Sequence, residues 1–213
     1  MLDSINKERE IRLKDFRENG YTAKSRFEKK LKEEISESDL AEITPYIDYA
    51  ESLDYQHGEL SNATYLSHVY RTAYLAIDLI HEINLDAIKL CLIHNVLEVA
   101  PQSSNKIATL FGKDIYEVLK ALLVDRSNKT PEYKLEFYSR IILAGKNARM
   151  IKVLDKLDNM FLLCLNHDEQ ERTDYLNEIE THVLPLVKSD LPHLVEYFSK
   201  LTQDCKTVKP INL

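Results

Sequence analysis

Three stretches place polar groups where a helical apolar pattern should run unbroken. His94 and Asn95 interrupt CLIHNVLEV, Asp155 stands at the centre of RMIKVLDKLDNMFLL, and His68 lies within YLSHVYRTAYLA. A carboxylate or imidazole drawn into an apolar interior needs a partner, because its lost hydration is otherwise uncompensated. Polar groups on three separate core helices can satisfy one another through a bound cation, as helical bundles do when they build metal sites. A salt-bridged or water-filled polar core is the other reading. The chain has seven histidines, at 57, 68, 81, 94, 167, 182 and 193. Taken singly, each reads as a surface or core residue; only the grouping points to ligands. Two pairs share a spacing of four, His94 with Glu98 and Asp155 with Asn159, which puts each pair on one face of a helix.

The elements that must position these groups read as helices throughout. Only four glycines and six prolines occur in 213 residues, too few for the tight turns of a many-stranded fold, and the apolar residues recur at helical spacing. The expected fold class is all-α. Residues 4–53 form a charged lead-in, broken at Gly20 and restarted by Ser38-Asp39 with Glu42, a capping-box pattern. It reads either as a packed helical extension or as a lid or dimerisation arm, and packing is the favoured reading. YQHGELSN, residues 55–62, is a loop. An amphipathic helix follows from about Ala63 to Ile83, and Asn84 caps another from about Leu85 to Val99. Pro101 and QSSN end it. Shorter helices cover residues 105–111 and 113–124, Thr130-Pro131 starts the next, and an apolar helix spans about Ala148 to Asn166. The remainder is helical to about Asp204.

Composition narrows the function. A formal charge of −7, spread along the chain, disfavours a nucleic-acid polymer as partner but leaves room for a small anionic ligand. No apolar stretch approaches a membrane span, and the charged start MLDSINKEREIRLKDF lacks the apolar core of a secretion signal. Cys91, Cys164 and Cys205 show no CxxC spacing, and the first two sit in apolar runs as buried free thiols, which suits a reducing cytoplasm. A glycine-rich phosphate loop, GxSxG and HExxH are all missing.

Four blocks together resemble the HD superfamily, and within it the RelA/SpoT-type hydrolase domain. They are YLSHVYRTAYLA, LCLIHNVLEVA, LFGKDIYEVLKAL and MIKVLDKLDNM, covering roughly residues 55–165 in family order. The resemblance implies an HD-type helical bundle at 55–204, preceded by a helical extension at 1–54 and followed by a tail at 205–213. It implies His68, His94 and Asp155 as ligands of one divalent ion, with Asn95 at the place of the signature aspartate. Mn is the foremost expectation for the ion, with Fe, Zn or Ni as alternatives. Glu98 would take a proton from metal-activated water, and Asn159 would contact substrate sugar.

Three departures qualify that picture. Asn95 is a neutral amide, so the site loses one ligand charge and some metal affinity, or all of it. Val99 replaces the acid that follows Glu98 in the family pattern. Glu59-Leu60 stands where the family carries an Arg-Lys pair, which disfavours a highly phosphorylated substrate. Arg71 offers a replacement phosphate contact from the face of His68, and Lys152 and Lys156 are weaker candidates. No histidine lies between 95 and 155, so the extra ligands of di-iron HD oxygenases are missing. The expected function is a metal-dependent phosphohydrolase acting on a nucleotide or another small phosphate ester. Its rival is an inactive HD domain that binds a nucleotide or a protein partner. A homo-oligomer is left open.

Overall fold

The computed structural model describes residues 2–18, 21–55 and 60–212. Gly20, His57 and Glu59, all singled out in the sequence, lie outside the described residues. Among the described residues every regular element is helical and none is a strand. The all-α expectation holds. None of the described helices is long and apolar enough to cross a membrane.

The lead-in forms α1 (Leu2–Arg17), α2 (Tyr21–Glu34) and α3 (Glu37–Glu51). The restart before α3 is capped by Ser36, whose hydroxyl accepts from the Asp39 amide, and not at Ser38-Asp39 as the capping-box pattern suggested. Ser36 is the residue in extended backbone (φ −66°, ψ 158°), which an N-cap requires, while Ser38 is already helical. Ile5 and Leu13 of α1 and Ala23, Phe27 and Leu31 of α2 are buried. Through them α1 packs on α10 and α2 on α4.

Next come α4 (Asn62–Asp78), capped by Ser61, and α5 (Leu85–Ile93), capped by Asn84 as its position foretold. The continuous helix expected to Val99 is interrupted, because α6 (Val96–Val99) is a separate turn. His94 aims Nδ1 at the Cys91 carbonyl (2.8 Å), and Asn95 leaves the helical region at φ −102°, ψ 5°. The amides of Glu98 and Val99 then restart the ladder on the Asn95 carbonyl. Beyond it lie α7 (Ser104–Phe111), α8 (Lys113–Leu122) and α9 (Pro131–Leu143). Thr130 caps α9 by accepting from the Tyr133 amide, with Pro131 at the first helical position.

α10 (Lys146–Leu162) is the axis of the fold and packs against α1, α4, α5, α8, α9, α12 and α13. Gly145 precedes it at φ +99°, a left-handed conformation that favours glycine and lets the chain reverse straight out of α9. Ala148, Met150, Ile151, Val153, Leu154, Leu157, Met160 and Phe161 are each at most 1% exposed. Burying each of the larger side chains is worth about 1.5–3 kcal/mol. Apolar residues on all sides make α10 a buried helix, so its charged residues Lys152, Asp155, Lys156 and Asp158 are drawn inside with it. The chain closes with α11 (Glu169–Glu178), a π-helical turn at Ile179–Val183, α12 (Leu184–Asp190) and α13 (Val195–Thr207). Cys91, Cys164 and Cys205 are buried free thiols.

Candidate metal centre

α4, the α5–α6 break and α10 bring three ring and carboxylate atoms to one point. His68 Nε2 lies 3.3 Å from His94 Nε2 and 3.4 Å from Asp155 Oδ1, and His94 Nε2 lies 3.8 Å from the same oxygen. All three residues are buried. A triangle of that size has its corners about 2.0 Å from a common centre, the length of a zinc–imidazole or zinc–carboxylate bond.

Hydrogen bonding around the rings decides what this centre can hold. His68 Nδ1 is 2.9 Å from Asp158 Oδ2, and His94 Nδ1 is 2.8 Å from the Cys91 carbonyl. Carboxylates and carbonyls only accept, so in each neutral ring the hydrogen sits on Nδ1 and the Nε2 lone pair faces inward. Two lone pairs and a carboxylate oxygen then converge with no hydrogen between them. That donor set fits a divalent cation. Among the described residues it is the one such His/Cys/Asp/Glu group.

The surroundings keep Asp155 ionised. Burial alone would push its carboxyl up, but the Lys152 ammonium (2.9 Å from Oδ2) and the two imidazoles hold it well below the usual range. Asn159 Nδ2 donates to Oδ1 at 2.8 Å, the contact that the i, i+4 spacing foretold. Burial works against a charged His68, yet hydrogen bonds to Asp155 and Asp158 outweigh it and raise the ring's pKa.

Asn95 is half-buried, and its Nδ2 donates to the Tyr65 hydroxyl at 2.9 Å. Glu98 is not on one helix with His94, since the break falls between them; its carboxylate pairs with Arg126 on the α8–α9 loop. Arg71 is 5% exposed, with Nε and Nη2 on Asp158 and Nη1 on Ser67 Oγ, so all three guanidinium nitrogens are engaged inside. Lys152 serves Asp155, and Lys156 meets Glu178 at 2.6 Å. Leu60 is half-buried. A cleft of about 440 Å³ lined by Glu42, Asn84, Lys89 and Lys146 includes none of the triad.

Sequence reasoning missed Asp158, Arg12 and Arg126. Asp158 carried the signal already used for Asp155, an acid inside an apolar helix. Arg12 lay in a charge-rich lead-in, where nothing marks one arginine as buried.

Behind the centre a second acid anchors α10 to α11. Glu178 Oε1 takes the Lys156 ammonium and the Tyr138 hydroxyl (2.7 Å). Burial would raise its carboxyl, but Lys156, with the Tyr138 hydroxyl and the Lys152 charge, outweighs burial and brings it down to about 2. A carboxyl depressed in the fold stabilises above its unfolded value, near 4.5, and that stability is lost as pH falls through about 2. The stability gap between the native chain and Glu178→Gln should be about 3 kcal/mol above about pH 5 and shrink towards zero near pH 2. Thermal melts across that range check it. A gap independent of pH would contradict it.

No protein-family model matches the sequence, and no curated protein matches it by sequence similarity. The fold does match a solved structure titled "A metazoan ortholog of SpoT hydrolyzes ppGpp and plays a role in starvation responses". The TM-score is 0.63 at 19% identity, over 79% of this chain and 97% of that one. The chain shares that protein's fold.

Proposed function

We propose that this chain is a divergent HD-type phosphohydrolase that uses one divalent metal ion, foremost Mn2+, to cleave a nucleotide or another small phosphate ester. The observation that carries the reading is the convergence of His68 Nε2, His94 Nε2 and Asp155 Oδ1, with both Nδ1 atoms already committed to acceptors. When bound, a cation there supplies Lewis acidity towards a phosphoryl oxygen and lowers the pKa of water. Glu98 accepts the proton of the attacking water. Arg126, whose side chain is 61% exposed, leaves Glu98 for a phosphate oxygen of the substrate, a bidentate partner that competes well with one carboxylate. Asn159 orients Asp155 and faces the sugar. The solved relative is described as hydrolysing ppGpp, which supports a nucleotide. The missing Arg-Lys pair favours one with fewer phosphates.

Asn95 tunes the centre by subtraction. Replacing it with aspartate restores an anionic donor, and Asn95→Asp should bind Mn2+ at least about tenfold more tightly, read by calorimetric titration. Equal or weaker binding would remove Asn95 from the centre.

The test of function is a panel of nucleotides and phosphate esters incubated with the purified chain and Mn2+. Metal-dependent phosphate release that disappears in Glu98→Gln supports the reading. A second reading, a binding domain without turnover, is favoured by one observation, the Glu98 carboxylate engaged by Arg126. Metal and nucleotide binding without release across the panel would select it.

A further inference from the structure

Asp158 lies 0% exposed between the metal centre and the N-terminal helix. Its Oδ2 accepts from His68 Nδ1 at 2.9 Å. Arg71 reaches the same carboxylate through Nη2 at 2.9 Å and Nε at 3.0 Å. Arg12, from α1, places Nε 2.8 Å from Oδ1 and lies with its guanidinium carbon 4.1 Å over the Phe161 ring. Glu8, one turn back on α1, holds the other end of Arg12 at 2.6 Å. The carboxylate is thus gripped from α1 and α4 while it faces a candidate metal ligand.

We propose that Asp158 is a positioning residue for the metal centre, fixing His68 as the Nδ1–H tautomer, and that Arg12 brings the N-terminal helix into this outer layer. The proposal rests on the reading of His68, His94 and Asp155 as a metal centre. A free neutral imidazole favours hydrogen on Nε2, the atom that must instead coordinate. An acceptor-only partner at Nδ1 reverses that preference and locks the ring plane. His94 receives the same treatment from a backbone carbonyl, whereas His68, in the middle of α4, depends on a side chain. Neutralising Asp158 needs one arginine. The second, drawn from a helix 146 residues away in sequence, restrains the carboxylate from two directions. The lead-in then contributes to the site through Arg12.

The test uses the full chain and two readouts, side-chain 15N NMR of the histidines in metal-free protein and Co2+ titration followed by its visible spectrum. At a pH where both rings are neutral, wild-type His68 and His94 should both be Nδ1–H tautomers. In Asp158→Asn, His68 should lose that preference while His94 keeps it, and Co2+ affinity should fall about 10–100-fold. Arg12→Met, which leaves Arg71 on Asp158, should keep the tautomer and lose Co2+ affinity severalfold. A neutral wild-type His68 with its hydrogen on Nε2 would overturn the proposal even if no variant folded. Unchanged tautomer and affinity in a folded Asp158→Asn would overturn it as well. A wild type with the Nδ1–H tautomer that binds no Co2+ would overturn the metal reading and leave Asp158's hold on the ring established.

Discussion

Asp155→Asn should give a folded chain with no measurable hydrolysis and with Mn2+ affinity reduced beyond about a hundredfold. Losing an outer hydrogen bond around a metal ligand costs roughly 10–100-fold. In the proposed centre Asp155 is a direct donor, and it is the one anion in the converging set, because Asn95 carries no charge. The amide keeps the volume of the acid, but its one oxygen accepts from only one of Lys152 and Asn159, which now bond separate carboxylate oxygens. Packing on α10 is preserved, and what is lost is the charge and one acceptor. Mn2+ titration and a phosphate-release assay on the same preparation check the two halves. Native metal affinity in this variant would place the ion, if any, elsewhere.

The second large effect is structural. Asp158→Ala should lower stability by about 3–5 kcal/mol, since removing one partner of a buried ion pair leaves charge uncompensated. Here two guanidiniums are stranded, those of Arg12 and Arg71, with side chains 2% and 5% exposed. For a chain of this size the melting temperature should drop by roughly 10 °C. Arg12→Met in the same background should add less than its own separate cost, because the two residues share one interaction. Melts of the single and double variants measure that coupling. Strict additivity would mean that Arg12 and Asp158 do not act as a unit.

Much of this arrangement was legible before any coordinates. The polar breaks in apolar runs picked out His68, His94 and Asp155, and the spacing of four foretold the Asp155–Asn159 contact. Those signals are local, and α10 and α4 are regular enough to carry them. The break at His94-Asn95 was not legible. It depends on a side chain claiming the Cys91 carbonyl, a choice that leaves no mark on hydrophobic periodicity. The same blindness put His94 and Glu98 on one helix. Arg71 shows a different limit. Its spacing from His68 was read as a shared face, but the face belonged to a buried acid that only tertiary packing brings near. Arg12 was hidden for the same reason, as one arginine among many charges until α1 docks on α10.

The most direct measurement is the metal content of protein purified without chelator, followed by Mn2+ titration of the stripped chain. A metal centre at His68, His94 and Asp155 should give about one equivalent of divalent metal per chain, removed by chelation, restored by Mn2+ and absent from His94→Ala. A folded wild-type chain that holds no divalent ion and takes up none on titration would contradict it.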